Sequence, residues 1–284
     1  MPMEKPLISV IIPAHNSAST IQDALFSMTH QTYRNIEILV IDDMSTDNTQ
    51  SIVQGLSESD PRIHYYKLPH DDPERINKRG RNINAGYMAR NYGFEKAQGD
   101  YITFQDADDA SFNNRIEVQY DLLTKHNATH VVLDWQKFDV SLLNKKFDAR
   151  TFLENNPHML TPQELEKLAK ETRGLIHLFP KISKKIDFEK KRIKIINKLF
   201  FRSLQPYPGT GNSPLFKREV METVQFRKLA ERIWPSFTGR GADRDFNFQV
   251  ALTFKNSYVF KLPLYLWRSE QQNPDYKNVS TYIL

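Results

Sequence analysis

Residues 99–109 read GDYITFQDADD and set three carboxylates, Asp106, Asp108 and Asp109, within four positions. Like charges this close repel unless a cation stands among them. A hard divalent ion that also touches a phosphate meets that need, because Mg²⁺ takes one or two carboxylates plus phosphate oxygens. An isolated D-x-D-D reads equally as a solvated acidic turn, so the rest of the chain has to decide. A second acidic pair, Asp42-Asp43, follows the apolar run EILVI, and Asp243 and Asp245 stand far downstream in GADRDF.

The elements that must carry these residues can be read from periodicity. Residues 7–12 (LISVII), 37–41, 63–68, 101–105 and 130–135 are short apolar, β-branched runs, the pattern of strands buried on both faces. Helical spacing occupies 19–30, 46–56, 87–98 (with Gly99 as its stop) and 114–126. Strands alternating with helices of this length predict an α/β sheet with right-handed crossovers. In such sheets ligands sit beyond the carboxyl ends of the strands, where both the Asp42 pair and the Asp106 cluster fall. Further on, Thr161-Pro162-Gln163-Glu164 predicts a helix start with a capping box.

Composition narrows the class. The 284 residues contain 39% hydrophobic and 26% charged side chains and no cysteine, which excludes disulfides and thiolate chemistry. There is neither a long apolar span nor a signal-peptide pattern at the start; a cytoplasmic protein is expected. The formal charge of +5 hides an asymmetry. Residues 1–110 carry 10 Lys+Arg against 16 Asp+Glu, a net of −6, leaving 29 against 18, a net of +11, for 111–284. An acidic half suits a metal and a basic half an anionic partner. Residues 181–202 hold nine Lys+Arg and two acids among regularly spaced Ile, Leu and Phe. They predict a basic amphipathic helix, either packed on the domain or lying at the inner face of an anionic membrane. Aromatics do not interleave with that run, and no nucleic-acid module is recognisable, so no nucleic-acid partner is expected.

Four segments in order, SVIIPAHNSASTIQDALFSMTHQTYRNIEILVIDDMSTDNT, ARNYGFEKAQGDYITFQDADD, GNSPLFKREV and GADRDFNFQV, resemble the family 2 inverting glycosyltransferases of the GT-A fold. The likeness is close over 7–135 and in outline over 208–268, while about 140–205 matches no recognised pattern. It implies a Rossmann-like, mostly parallel sheet flanked by helices. A nucleotide-sugar-binding half (1–135) would join an acceptor-side half (136–284) that carries a helical, basic insertion, as one continuous catalytic domain. The implied activity is metal-dependent transfer of a sugar from a nucleotide donor, UDP-linked, to a hydroxyl of a glycan or a polyprenyl- or lipid-linked acceptor, as in bacterial surface polysaccharide or lipopolysaccharide synthesis.

The resemblance also distributes roles. Pro13, His15 and Asn16 would border the nucleotide base, with His15 in place of the usual aromatic. Asp43 would accept from the uracil imide while Asp42 fixes its loop. Ser45 and Asp47 read as readily as a helix cap. Arg90, in the A-R-N stretch, would reach the diphosphate or clamp the acidic turn. Asp108 would ligate Mn²⁺ or Mg²⁺, Asp106 would hold ribose hydroxyls or a metal-bound water, and Asp109 would buttress the turn. Asp243 would be the base, with Asp245 its rival. Two departures stand out: Ala242 replaces the family's glutamate, and Arg268 is followed by Ser269-Glu270 rather than a histidine, so that contact is either lost or replaced by Glu270. The basic stretch 70–85, with Arg75, Lys78, Arg79 and Arg81, has no assigned role. Two other readings compete. A catalytically impaired nucleotide-sugar-binding protein would explain the departures. A sugar-nucleotide pyrophosphorylase would want a Gly-rich, Lys-bearing loop, and PAHNSAS has neither residue.

Overall fold

β1 (Ile8–Ala14) and β2 (Ile36–Asp42) are apolar on both faces and almost wholly buried, as parallel strands between helix layers require. In the computed structural model, which describes residues 5–72, 75–76, 85–173, 207–234, 241–269, 271 and 279–284, alternate residues of β1 feed two cores. Ile8, Val10 and Ile12 pack with Leu25 and Met28 of α1 (Ile21–Thr29), Val53 of α2 (Thr49–Ser59) and Leu122 and Leu123 of α4 (Arg115–Lys125). Ile11 faces the other way, onto Phe94 of α3 (Tyr87–Lys96) and Phe246 of α8 (Ala242–Phe254).

The remaining strands are β3 (Ile63–Lys67), β4 (Tyr101–Phe104), β5 (Ala110–Ser111), β6 (His130–Lys137), β7 (Met159–Leu160), β8 (Leu215–Lys217) and β9 (Ser257–Trp267). α5 (Ala149–Asn155), α6 (Pro162–Thr172) and α7 (Arg218–Thr223) complete the elements used below. The sheet runs β3-β2-β1-β4-β8-β6-β9-β5, with β7 added against β9. β3, β2, β1 and β4 are mutually parallel. β8 is antiparallel to both neighbours, and β6 and β9 are parallel to each other. The expected mostly parallel α/β sheet flanked by helices is present, and the five expected strands shift only at their ends.

Three details differ from the periodicity reading, each for a local reason. Helix α3 stops at Lys96, where Ala97 turns extended, so Gly99 does not end it. Gly99 is needed for close approach instead: a Cβ there would sit 2.7 Å from the Leu7 carbonyl and the Ser9 amide. Its N–H donates to Ser9 Oγ, which in turn donates to Glu37. Strands β8 and β9 were not expected. LFK is too short to show a period, and Pro263 interrupts β9. A register shift against Asp134 of β6 accommodates that proline, since bulges release prolines from the ladder. Finally, 140–172 is not simply helical, for β7 lies between α5 and α6. The capping box at Thr161 forms as expected, Thr161 N–H donating to Glu164 at 2.8 Å. The basic stretch 181–202, with Lys78, Arg79, Arg81, Arg240 and Glu270, lies outside the described residues. No helix among the described residues is long and apolar enough to cross a membrane.

Candidate active site

The carboxyl ends of β1, β2 and β4 open into a cleft of about 470 Å³, within the range of small-molecule sites. Pro13, His15, Asn16, Asp43, Arg90, Asp106, Asp108 and Asp243 all line it. These eight of the residues singled out in the sequence therefore reach one place, whereas Asp42, Asp109 and Asp245 do not line it.

At the β1–β2 end, the loops are tied together by short polar side chains. His15 Nδ1 donates to the Asp43 carbonyl at 2.6 Å. Asn16, in the left-handed region at φ 50°, accepts from Thr46 N–H and receives Ser45 Oγ on its own N–H. Asp42 is wholly buried, accepting from Ser45 N–H at 2.7 Å and from Tyr65 Oη. It fixes the loop as expected and has no route to a ligand. Asp47 accepts from Ala18 N–H and from Thr49, while Ser45 serves the neighbouring loop, so only Asp47 acts near the helix start. Asp43 pairs with Arg75, whose Nη2 donates to it at 2.5 Å and to Asp71 at 2.7 Å. Burial alone would depress Arg75; the two carboxylates outweigh it and hold the guanidinium charged. This pairing is legible in hindsight from an arginine in a loop facing an acidic pair.

The acidic turn is built from β4 outward. One oxygen from each of Asp106, Asp108 and Asp109 lies within 4.8 Å of the others. Asp106 is fully engaged, by Arg90 Nη2 at 2.6 Å and by Asn212 Nδ2 at 2.6 Å. Asp109 is buried and also engaged, accepting from Tyr265 Oη at 2.8 Å and from Arg268 N–H at 2.7 Å. Burial first, then the charges of Asp106 and Asp108, push its carboxyl up to about 8. Asp108 differs. It stands at the exposed rim, and among the described residues no other residue's donor holds its carboxylate. Desolvation in the cleft and the Asp106 charge raise it above the usual carboxylate range. Three hard oxygen donors that need a counter-charge fit a divalent cation such as Mg²⁺ or Mn²⁺, and Asp108 is the member open to ligate it.

Arg90 enters from α3. Its N-terminal Gly86 has φ 66°, and a Cβ there would press on Arg90 Nη1 at 3.0 Å and Pro13 Cβ at 3.3 Å. The guanidinium is buried between Phe104 and Phe226, donates to the Ala85 carbonyl at 2.6 Å and lies 3.6 Å from Asp243. Burial opposes its charge, yet Asp243 and Asp106 together raise its pKa further. It clamps the acidic turn and also reaches Asp243.

Asp243 and Asp245, both on the first turn of α8, have opposite environments. Asp245 is buried, accepting from the Ile233 and Trp234 amides at 2.7 and 3.1 Å and from Gln249. Burial raises its pKa, offset in part by Arg227 and those amides. It pins the 228–234 segment, whereas Asp243 lines the cleft. Four further residues escaped sequence reading. Asn212 and Tyr265 hold the acidic turn. Buried Asn247 donates to the Asp243 and Gly211 carbonyls at 2.6 and 2.7 Å. Its Oδ1 meets buried His130 at 2.8 Å. The available signal was a polar residue inside an apolar run, as in HVVLDW.

The glycosyl transferase family 2 model matches residues 9–187, running through much of the stretch, about 140–205, that matched no recognised pattern. An uncharacterized glycosyltransferase of Haemophilus influenzae is 34% identical over 162 residues, 54% of this chain and 60% of that protein. A putative teichuronic acid biosynthesis glycosyltransferase, TuaG of Bacillus subtilis, is 32% identical over 124 residues, 44% of each chain. The chain thus spans 60% or less of the length of these curated relatives. Among solved structures, S. aureus TarS 1–349 in complex with UDP superposes with a TM-score of 0.55 at 15% identity, covering 92% of this chain and 60% of that one. Mannosyltransferase PcManGT from Pyrobaculum calidifontis, in complex with GDP-Man and Mn²⁺, does so at 0.50 and 19% identity, covering 92% and 56%. These structural likenesses carry the GT-A fold, and the match over well over half of the sequence carries the lineage: the chain belongs to glycosyl transferase family 2.

Proposed function

We propose that this chain is a metal-dependent, inverting glycosyltransferase that moves a sugar from a UDP-linked donor to a hydroxyl of a glycan or lipid-linked glycan. The observation that carries the reading is one cleft with Asp43 at one end, Asp108 at the acidic turn and Asp243 beside Arg90. Asp43 would accept from a base imide, with Arg75 fixing its orientation. Asp243 would take the proton of the acceptor hydroxyl as that oxygen attacks the anomeric carbon. The bond from that carbon to the diphosphate oxygen breaks on the opposite face, and the nucleoside diphosphate leaves with the electron pair. Asp108, with Asp106 and Asp109 beside it, would hold a divalent ion, which would supply positive charge against that leaving group. Arg90 stands between Asp106, at 2.6 Å, and Asp243, at 3.6 Å, and would hold the donor-side and acceptor-side carboxylates in fixed relation. UDP in the TarS complex and the teichuronic acid role in the TuaG description support the donor and a bacterial surface glycan. The charge of 181–202 supports a contact with an anionic membrane surface.

A panel of nucleotide sugars with Mn²⁺, scored for slow donor hydrolysis, tests the reading. One UDP-sugar should turn over, and Asp243→Asn should abolish turnover while UDP and Mn²⁺ still bind. Unchanged turnover in Asp243→Asn would remove it as the base.

A further inference from the structure

We propose that Trp267, braced by Trp135, is a stacking platform for a sugar ring of the acceptor. This rests on the glycosyltransferase reading above. Along the sheet edge that bears the cleft, the strands follow in the order β2, β1, β4, β8, β6, β9. Asp43, His15, the acidic turn and Asn212 therefore occupy one stretch of this edge, and Trp135 and Trp267, at the ends of β6 and β9, extend it on the far side of the turn from Asp43. A donor whose base lies toward Asp43 leaves that far flank for whatever accepts the sugar.

Trp267 belongs to the same face as the site. On β9, Leu262, Leu264 and Leu266 enter the main core, so Pro263, Tyr265 and Trp267 share the opposite face. Tyr265 Oη reaches Asp109 at 2.8 Å and accepts from the Asp106 N–H at 3.3 Å. Trp267 follows two residues later, about 7 Å along the strand. The next residue, Arg268, is fastened to the turn through its N–H to Asp109 and its Nε to the Asp108 carbonyl. The Trp267 carbonyl is held by Phe138 N–H at 2.8 Å.

Trp267 is 39% exposed, whereas Trp234 is 1% exposed. Trp135 meets it edge-on, 4.6 Å between centroids at 89°. A large flat ring fixed by its neighbours and left partly wet offers apolar area at little ordering cost, with its own N–H as a polar handle. The C–H face of a pyranose matches that surface, and its hydroxyl rim stays in water.

Full-length chain, Trp267→Ala and Trp267→Phe are applied, with UDP and Mn²⁺ present, to an array of immobilised mono- to tetrasaccharides. The array carries hexose, N-acetylhexosamine and uronic acid termini, and UDP affinity is measured alongside. The unmodified chain should retain a subset of glycans. Trp267→Ala should weaken them at least tenfold, Trp267→Phe should recover part of the loss, and UDP affinity should stay within twofold throughout. Equal glycan binding by Trp267→Ala, or no glycan bound by an unmodified chain that does bind UDP, overturns the platform alone. Failure of the unmodified chain to bind UDP overturns the donor reading beneath it as well.

Discussion

Replacing Arg90 with Met removes the cation between Asp106 and Asp243 while keeping a side chain that fills the slot between Phe104 and Phe226. The variant loses a charge-assisted hydrogen bond at 2.6 Å, leaves the Ala85 carbonyl without its donor, and exposes each carboxylate to the other. Breaking a fully buried ion pair from one side costs about 3–5 kcal/mol. Here Asp106 is about a quarter exposed and Asp243 about a third, so water resolvates part of the charge and roughly 2–3 kcal/mol remains. For a chain of this size that corresponds to about 3–5 °C in Tm. Mn²⁺ should stabilise Arg90→Met more than the unmodified chain, because the ion supplies the missing charge. Urea denaturation and thermal melting at pH 7.5, with and without Mn²⁺, read both effects. A loss below about 0.5 kcal/mol at pH 7.5, or equal stabilisation of both proteins by Mn²⁺, would refute the view that Arg90 is the standing counter-charge of the cleft.

Asp108→Asn should reduce Mn²⁺ affinity more than tenfold by calorimetry, while the Tm of the metal-free protein holds or rises as a repelling charge leaves the turn; a fall in that Tm would mean Asp108 is structural. Asn247→Leu leaves the Gly211 and Asp243 carbonyls and the His130 ring without their partner, and should cost about 2–4 kcal/mol in urea denaturation; donor turnover should fall further than UDP affinity, and parallel falls would argue against a link to Asp243. His130 is buried, and burial depresses its pKa to about 4, only partly opposed by Asn247. It is neutral when folded and protonates near 6.5 when unfolded, so the stability it contributes is complete above pH 6.5 and is lost as pH falls toward 4, up to roughly 3 kcal/mol. His130→Leu should flatten that part of the stability profile, and an unchanged slope would contradict the assignment.

The acidic clusters of the cleft were legible because their chemistry is local. Asp42-Asp43 and Asp106–Asp109 each follow an apolar run directly, so predicting the strands also put the carboxylates at the right edge. The division of labour within each cluster depends on residues remote in sequence. Asp42 is closed off by Tyr65, 23 residues on, while Asp106 is held by Asn212 and Asp109 by Tyr265 and Arg268, all three more than a hundred residues away, and no spacing rule joins such positions. Asp243 and Asp245 look equivalent in GADRDF, and only the fold of 228–234 over Asp245 separates them. Arg90 posed the same difficulty: the family resemblance offered the acidic turn as its partner, but its contact with Asp243 requires α8. Strands β8 and β9 were obscured by brevity and by a proline whose bulge is a tertiary accommodation.

The reversed strand β8 also bears on how the molecule is made. β4 has β1 on one side and only β8 on the other, and β6 finds its strand partners in β8 and β9. A nascent chain that has finished β4 at Phe104 must wait for Leu215–Lys217, more than a hundred residues, before that edge closes. At 5–20 residues per second this is roughly 6–20 s. Throughout that interval YITF is an unpaired, apolar edge directly before three repelling carboxylates, and the charges discourage the edge-to-edge pairing that such a strand invites. The aspartates of the cleft would then act as gatekeepers during synthesis, and charge-removing substitutions there should lower soluble yield even where the finished fold tolerates them.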